Sequence, residues 1–180
     1  SYGFINTLGG SVGKSGIIKK EMKDYKGALN DLKEAIKIDP RLGISTDGID
    51  VENESTKSFW LELADIYSKI FLDYQEAIKS INSGIDFLSS NKDLSISEEQ
   101  INSFLYMAYY KLAENHHLYI EDKMEKRLLS EEIGEEESYD KPLNFIDKSI
   151  KILEKNLSNP DFIGTKKDLG QSYFLKSKIY

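Results

Sequence analysis

Apolar residues recur along this chain at the 3–4 spacing of amphipathic helices, and three segments share one register. In the first, Tyr25 is followed by Ala28, Leu29, Leu32, Ala35 and Ile36. In the second, Tyr74 is followed by Ala77, Ile78, Ile81, Gly84 and Ile85. In the third, Tyr139 is followed by Pro142, Leu143, Ile146, Ser149 and Ile150. Each pattern predicts a helix with one apolar stripe, and each stripe holds a small residue (Ala35, Gly84, Ser149) where a neighbouring helix can approach closely. Asp24, Asp73 and Ser138 stand just before the tyrosines, placed to accept from the unpaired N–H groups of the opening turn. Pro142 falls in the first turn of its helix, where a missing N–H is tolerated.

A second apolar-periodic stretch precedes each of these helices, with Ser15-Gly16, Leu63-Ala64 and Met107-Ala108 at matching places. A fourth instance, Leu169-Gly170 ahead of Tyr173, lies near the C-terminus. The unit is helix A, short turn, helix B. At this point the chain resembles the tetratricopeptide repeat (TPR) family, whose roughly 34-residue pattern asks for W-x2-L-G-x2-Y in helix A and A-x3-F-x2-A-x4-P across helix B. The second unit supplies Trp60, Leu63, Ala64 and Tyr67, then Ala77, Ile81 and Gly84. The first supplies Gly16, Ala28, Leu32, Ala35 and Pro40, and the last Leu169, Gly170 and Tyr173.

The resemblance implies an all-α fold of stacked antiparallel helix pairs, a TPR-like α-solenoid of three repeats plus a C-terminal helix in one domain over residues 1–180. The repeats fall at 9–42, 57–90 and 101–157, the third with an insertion at 116–137, and the terminal helix at 163–180. It also implies a non-enzymatic scaffold, without cofactor, that holds a protein or peptide along a concave row of A helices. Carried over residue by residue, the groove positions are Lys14 and Ile17, Leu61 and Asp65, Leu105 and Tyr109, and Lys167 and Gln171, with Tyr109 as the anchor. The family's basic and Asn clamp for a C-terminal carboxylate lacks its residues here: Gly13, Ile17 and Asp65 stand where Lys or Asn is wanted. The alternative reading is a structural or regulatory segment of a larger chain or complex. In that case Leu169, Tyr173, Phe174 and Ile179 form an apolar face of the last helix that further chain covers, or that caps the array.

The tyrosines that open the B helices lie further apart than the family's period. The surplus falls at Leu42–Thr56 and Ser89–Gln100, which read as loops, and at His116–Glu137, inside the third repeat. There the pattern Leu105, Ala108, Leu112 runs on through Leu118, Met124 and Leu128, as one long helix from Ile101 that the acidic stretch Glu131–Asp140 ends.

Composition narrows the function classes. The 180 residues carry 24 Lys+Arg against 31 Asp+Glu, a net charge of −7, which argues against a nucleic-acid or anionic-membrane binder. Two Val and four Thr leave little material for strands. With no cysteine, thiolate metal sites, disulfides and Cys nucleophiles are excluded. No apolar run approaches the ~18 residues of a membrane span, and the chain does not open on a basic-then-apolar signal peptide. A cytoplasmic location is favoured, with export after removal of a leader left open because the chain opens at Ser1.

Chemistry-bearing motifs are near misses. Leu8 to Ser15 almost spells a phosphate-binding P-loop, but Leu8 replaces the first glycine and the repeat frame places Gly13-Lys14-Ser15 inside helix A. A P-loop nucleotide-binding protein is therefore the distant alternative. Ile70–Asp73 and Asn91-Lys92-Asp93 imitate the other nucleotide motifs out of register. His116 and His117 point about 100° apart on a helix, and His117 with Glu121 makes only two ligands, too few for a metal. Tyr106, Tyr109 and Tyr110 divide between core and interface roles, and Glu131–Glu137 between a solvated segment and a basic-partner site.

Overall fold

The structure, a computed structural model, describes residues 2–44, 58–91, 96–130, 138–159 and 165–180. Among them the regular elements are all helical: α1 (Tyr2–Glu21), α2 (Tyr25–Ile38), α3 (Phe59–Lys69), α4 (Tyr74–Ser90), α5 (Glu98–Ser130), α6 (Asp140–Asn156) and α7 (Lys166–Ile179), with a 3-10 turn at Pro40–Gly43. The fold class is all-α. Most of Leu42–Thr56, residues 92–95, the acidic run Glu131–Glu137 and the start of the terminal helix range lie outside the described residues.

Local chemistry accounts for the boundaries. Asp24 accepts from the Gly27 N–H at 3.0 Å and Asp73 from the Glu76 N–H at 3.0 Å, each closing the first turn of its helix. The residue before each cap, Lys23 (φ 63°) and Leu72 (φ 53°), takes the left-handed conformation, so two turns of unrelated sequence reverse the chain in the same way. Thr165 and Asp168 form a reciprocal capping box on α7. Ser138 departs from expectation. Tyr139 is the N-cap of α6 and gives no side-chain cap, while the Ser138 hydroxyl serves the Asp140 N–H at 3.2 Å and donates to the Asp140 carboxylate.

The helices pair antiparallel. Gly16 of α1 faces α2 so closely that an added Cβ would lie 3.0 Å from Leu32 Cγ and 3.2 Å from the Ala28 carbonyl. Gly84 of α4 faces Trp60 and Phe104, with an added Cβ 2.7 Å from the Phe104 ring. The Ser149 hydroxyl of α6 donates to the Tyr106 carbonyl of α5 at 2.9 Å. The small position in each stripe thus marks a close approach, with Ala35 and Ser149 wholly buried.

Successive clusters rather than one central core hold the chain together. Ile17, Leu29, Leu32, Leu42, Phe59, Leu63 and Ile66 join α1 and α2 to α3. Leu61, Ala64, Ile81, Phe104, Ala108 and Leu112 join α3, α4 and α5. Ala113, Ile146, Ile150, Leu175 and Ile179 join α5, α6 and α7. Trp60 and Tyr67 pack against the first two clusters and Phe145 against the last two, so the apolar interior passes from pair to pair.

Residues 116–130, which the sequence reads as the start of an insertion, are the unbroken continuation of α5. The 33-residue helix is about 50 Å long. Its extension is packed as far as His117 and Ile120, then emerges, leaving Leu128 and Leu129 about 80% exposed. The sequence expectation of a single helix from Ile101 matches this element.

Candidate partner-binding face

Two ion pairs show where the first helices of successive pairs meet. Lys20 of α1 reaches Glu62 of α3 at 2.5 Å, and Lys111 of α5 reaches Asp65 of α3 at 2.6 Å. Glu62, Asp65 and Lys69 fall at 3–4 spacing on one face of α3, while Phe59, Leu63 and Ile66 enter the cluster with α2 and Ala64 the cluster with α4. Lys69 also reaches Asp65, at 3.2 Å, and keeps an exposed side chain.

Electrostatics follow from this placement. Burial pushes the Asp65 carboxyl up, but the neighbouring Lys111 and Lys69 ammonium groups outweigh it and hold the group below the usual carboxylate range. Tyr110, half-buried on α5, has its phenol pushed up by burial and then by the charges of Glu114 and of Asp168 on α7. Across α5 the residues Lys111, Glu114 and Tyr110 therefore lead from the α3 side to the α7 side.

The eight predicted site residues separate. Ile17 is 7% exposed and Leu61 5%, each in an apolar cluster, so neither offers a partner any surface. Leu105 is half-buried against the second cluster. Tyr109 is turned to α6: its ring stacks on Phe145 with centroids 6.2 Å apart, and the Lys148 ammonium stands 5.3 Å from its centroid. It is a seam residue, not a free anchor. Lys14 is half-buried on α1, Asp65 sits in the ion-paired junction, and Lys167 and Gln171 are exposed on α7. Lys20, Glu62, Lys111, Tyr110 and Glu114 border the same junction and are not among the predicted positions. Their signal was available in part, since Glu62, Asp65 and Lys69 make a charged 3–4 stripe within an otherwise apolar helix.

The near-miss motifs acquire structural roles. Gly13 belongs to α1, and an added Cβ would lie 2.2 Å from the Phe59 ring, so this glycine makes room for Phe59. The Lys14 and Ser15 N–H groups point along a helix interior, not into a phosphate cradle. Titration with ATP or GTP should accordingly show no binding that Lys14→Ala removes; micromolar affinity lost in that variant would contradict this. His116 stacks on Phe145 at 5.5 Å and His117 tilts against Tyr139 at 5.9 Å, which separates the two imidazoles onto different neighbours. No group of three or more His, Asp or Glu side chains is arranged to hold a metal among the described residues. None of the described helices is long and apolar enough to cross a membrane.

Comparison with protein-family models, with characterised proteins and with solved structures finds no match.

Proposed function

We propose that this chain is a non-enzymatic scaffold of TPR-like helix pairs, and that it binds a protein or peptide across α1, α3, α5 and α7. The observation that carries the reading is the pair of cross-helix ion bridges, Lys20–Glu62 and Lys111–Asp65, which link α1 to α3 and α3 to α5. Similar turns at Lys23 and Leu72, and the close approaches at Gly16 and Gly84, support a repeated unit. A partner lying across this row meets alternating charge, with Lys69 as an exposed cation and Glu114 as a half-buried acid. Such a floor suits an extended segment that carries both signs of charge, and orders it through several weak contacts.

A photo-crosslinking residue at position 69 or 114 should capture the same partner from native lysate, while one at Lys79 on α4 should not. Lys69→Ala and Glu114→Ala should each weaken the recovered partner by about tenfold in calorimetric titration. Capture through position 79 with no effect of either substitution would defeat the reading. The outward face of α7 favours the second reading, a structural part of a larger assembly, because aromatic residues there stand exposed.

A further inference from the structure

The fourth occurrence of the Leu-Gly register behaves unlike the others. Gly16, Ala64 and Ala108 each lie against a neighbouring helix, the two alanines wholly buried. At Gly170 an added Cβ would meet nothing within 4 Å among the described residues. The opposite side of α7 is well packed: Ser172, Leu175 and Ile179 are 1–7% exposed, and Lys176 pairs with Asp147 of α6 at 2.7 Å. The side bearing Gly170 shows Tyr173, Phe174 and Tyr180, with Phe174 63% exposed.

The exposed charges that α7 itself brings to this side are lysines, and the acid at its edge, Glu154 of α6, accepts from the Tyr173 hydroxyl at 2.5 Å. Lys166, Lys167 and Lys178 are exposed, and the Lys178 ammonium stands 4.8 Å from the Phe174 centroid. The one acid of α7, Asp168, is engaged in the capping box with Thr165. Lys167, Gln171, Phe174 and Lys178 repeat at helical spacing and form a stripe beside Gly170. The first pair shows how such a face is closed within this molecule. There α2 lies along Gly16, and its Asp31 accepts from Ser15 at 2.5 Å and pairs with Lys19 at 2.8 Å. An apolar helix that brings a carboxylate satisfies a helix that offers a glycine gap and a lysine.

We infer that the outward face of α7 is a docking surface for an acidic amphipathic helix, seated along Gly170 as α2 is seated along Gly16. Its apolar stripe covers Phe174 and Tyr173, and its flanking carboxylates meet Lys167 and Lys178. The glycine gap favours a helix over a lipid surface. Close backbone approach needs it, and a bilayer does not. The chain's net charge of −7 also opposes an anionic membrane.

The test uses the full chain and a synthetic 17-residue helix with the apolar stripe of α4 and glutamate at its flanking positions. A twin with lysine at those positions is the control. The glutamate peptide should bind with an affinity that falls as salt rises, and the lysine twin should bind at least about tenfold more weakly. Phe174→Ala and the pair Lys167→Glu, Lys178→Glu should each weaken binding by about tenfold. Gly170→Leu enters open space and replaces a glycine inside a helix, so its circular dichroism melt should match or exceed the parent's while binding is abolished. Lys69→Ala should bind the peptide as the parent does, separating this surface from the row of first helices. Equal binding of the two peptides, or unchanged binding by Gly170→Leu, overturns the inference. So does binding to phosphatidylserine vesicles without binding to the peptide. A dimer in sedimentation that Gly170→Leu dissolves names a second copy as the occupant and overturns it as well.

Discussion

Replacing Phe59 with alanine should lower the free energy of unfolding by about 3–5 kcal/mol, measured by urea titration followed at Trp60. Phe59 is fully buried at the first position of α3, yet it packs with α1 and α2. Its ring fills the space that the missing Cβ of Gly13 leaves open. Removing it therefore opens a cavity at the junction of two helix pairs, where neither pair can close the gap alone. Phe174→Ala, which removes a ring that is 63% exposed, should change stability by well under about 1 kcal/mol. A Phe59→Ala midpoint close to the parent would mean that the first pair does not pack against α3 as described.

Asp65→Ala should cost about 2–3 kcal/mol of stability. That is below the ~3–5 kcal/mol of a fully buried pair, because the Asp65 and Lys111 side chains keep 20% and 17% of their exposure. The loss comes chiefly from Lys111, which stays in place without its partner. The double variant Asp65→Leu with Lys111→Met should recover most of it, since the cost of desolvating both charges disappears with them. The acid limb gives an independent readout. The Asp65 carboxyl titrates below its ordinary value in the folded chain, so its stabilisation is complete above the unfolded value near 3.8 and is lost as pH falls through the folded one. Asp39 acts in the same direction through Arg41, and Asp31 does so because Lys19 and Ser15 outweigh its burial. The parent should therefore lose stability as pH falls below about 4, and the double variant should lose less on that acid limb. Matching acid limbs in parent and double variant would dissociate the ion pair from stability.

The two ion-pair helices also show how far the sequence could be read. The B-helix stripes were legible because an amphipathic helix needs only its own spacing to declare which side is buried: Ala28, Leu32, Ala77, Ile81 and Ile146 are all wholly buried as the pattern requires. A first helix is different. It touches a B helix, a preceding helix and a following helix at once, so apolar residues ring much of its circumference and the free side is a remainder. On α5 successive residues turn to different neighbours: Tyr109 stacks on Phe145 of α6, Tyr110 approaches α7 and Lys111 approaches α3. One residue of helix is about 100°, enough to carry a side chain from an open face into a seam.

The last helix makes the same point with a different outcome. Leu169, Tyr173, Phe174 and Ile179 look like one apolar face in the sequence, but the structure divides them. Leu169 and Ile179 face inward, and Tyr173 and Phe174 stand outward. The sequence by itself determined the all-helical class, the capped starts of α2 and α4, the long run of α5 and the helical setting of Gly13-Lys14-Ser15. These depend on spacing, capping residues and breakers within a few positions of each other, interactions that neighbouring residues settle locally. Only the tertiary structure decided that Gly13 accommodates Phe59, that Lys111 reaches Asp65 and that Gly170 meets none of the described residues. Each of those depends on which helix arrives from far along the chain and at what distance, and the identity of a residue does not carry its neighbour's approach.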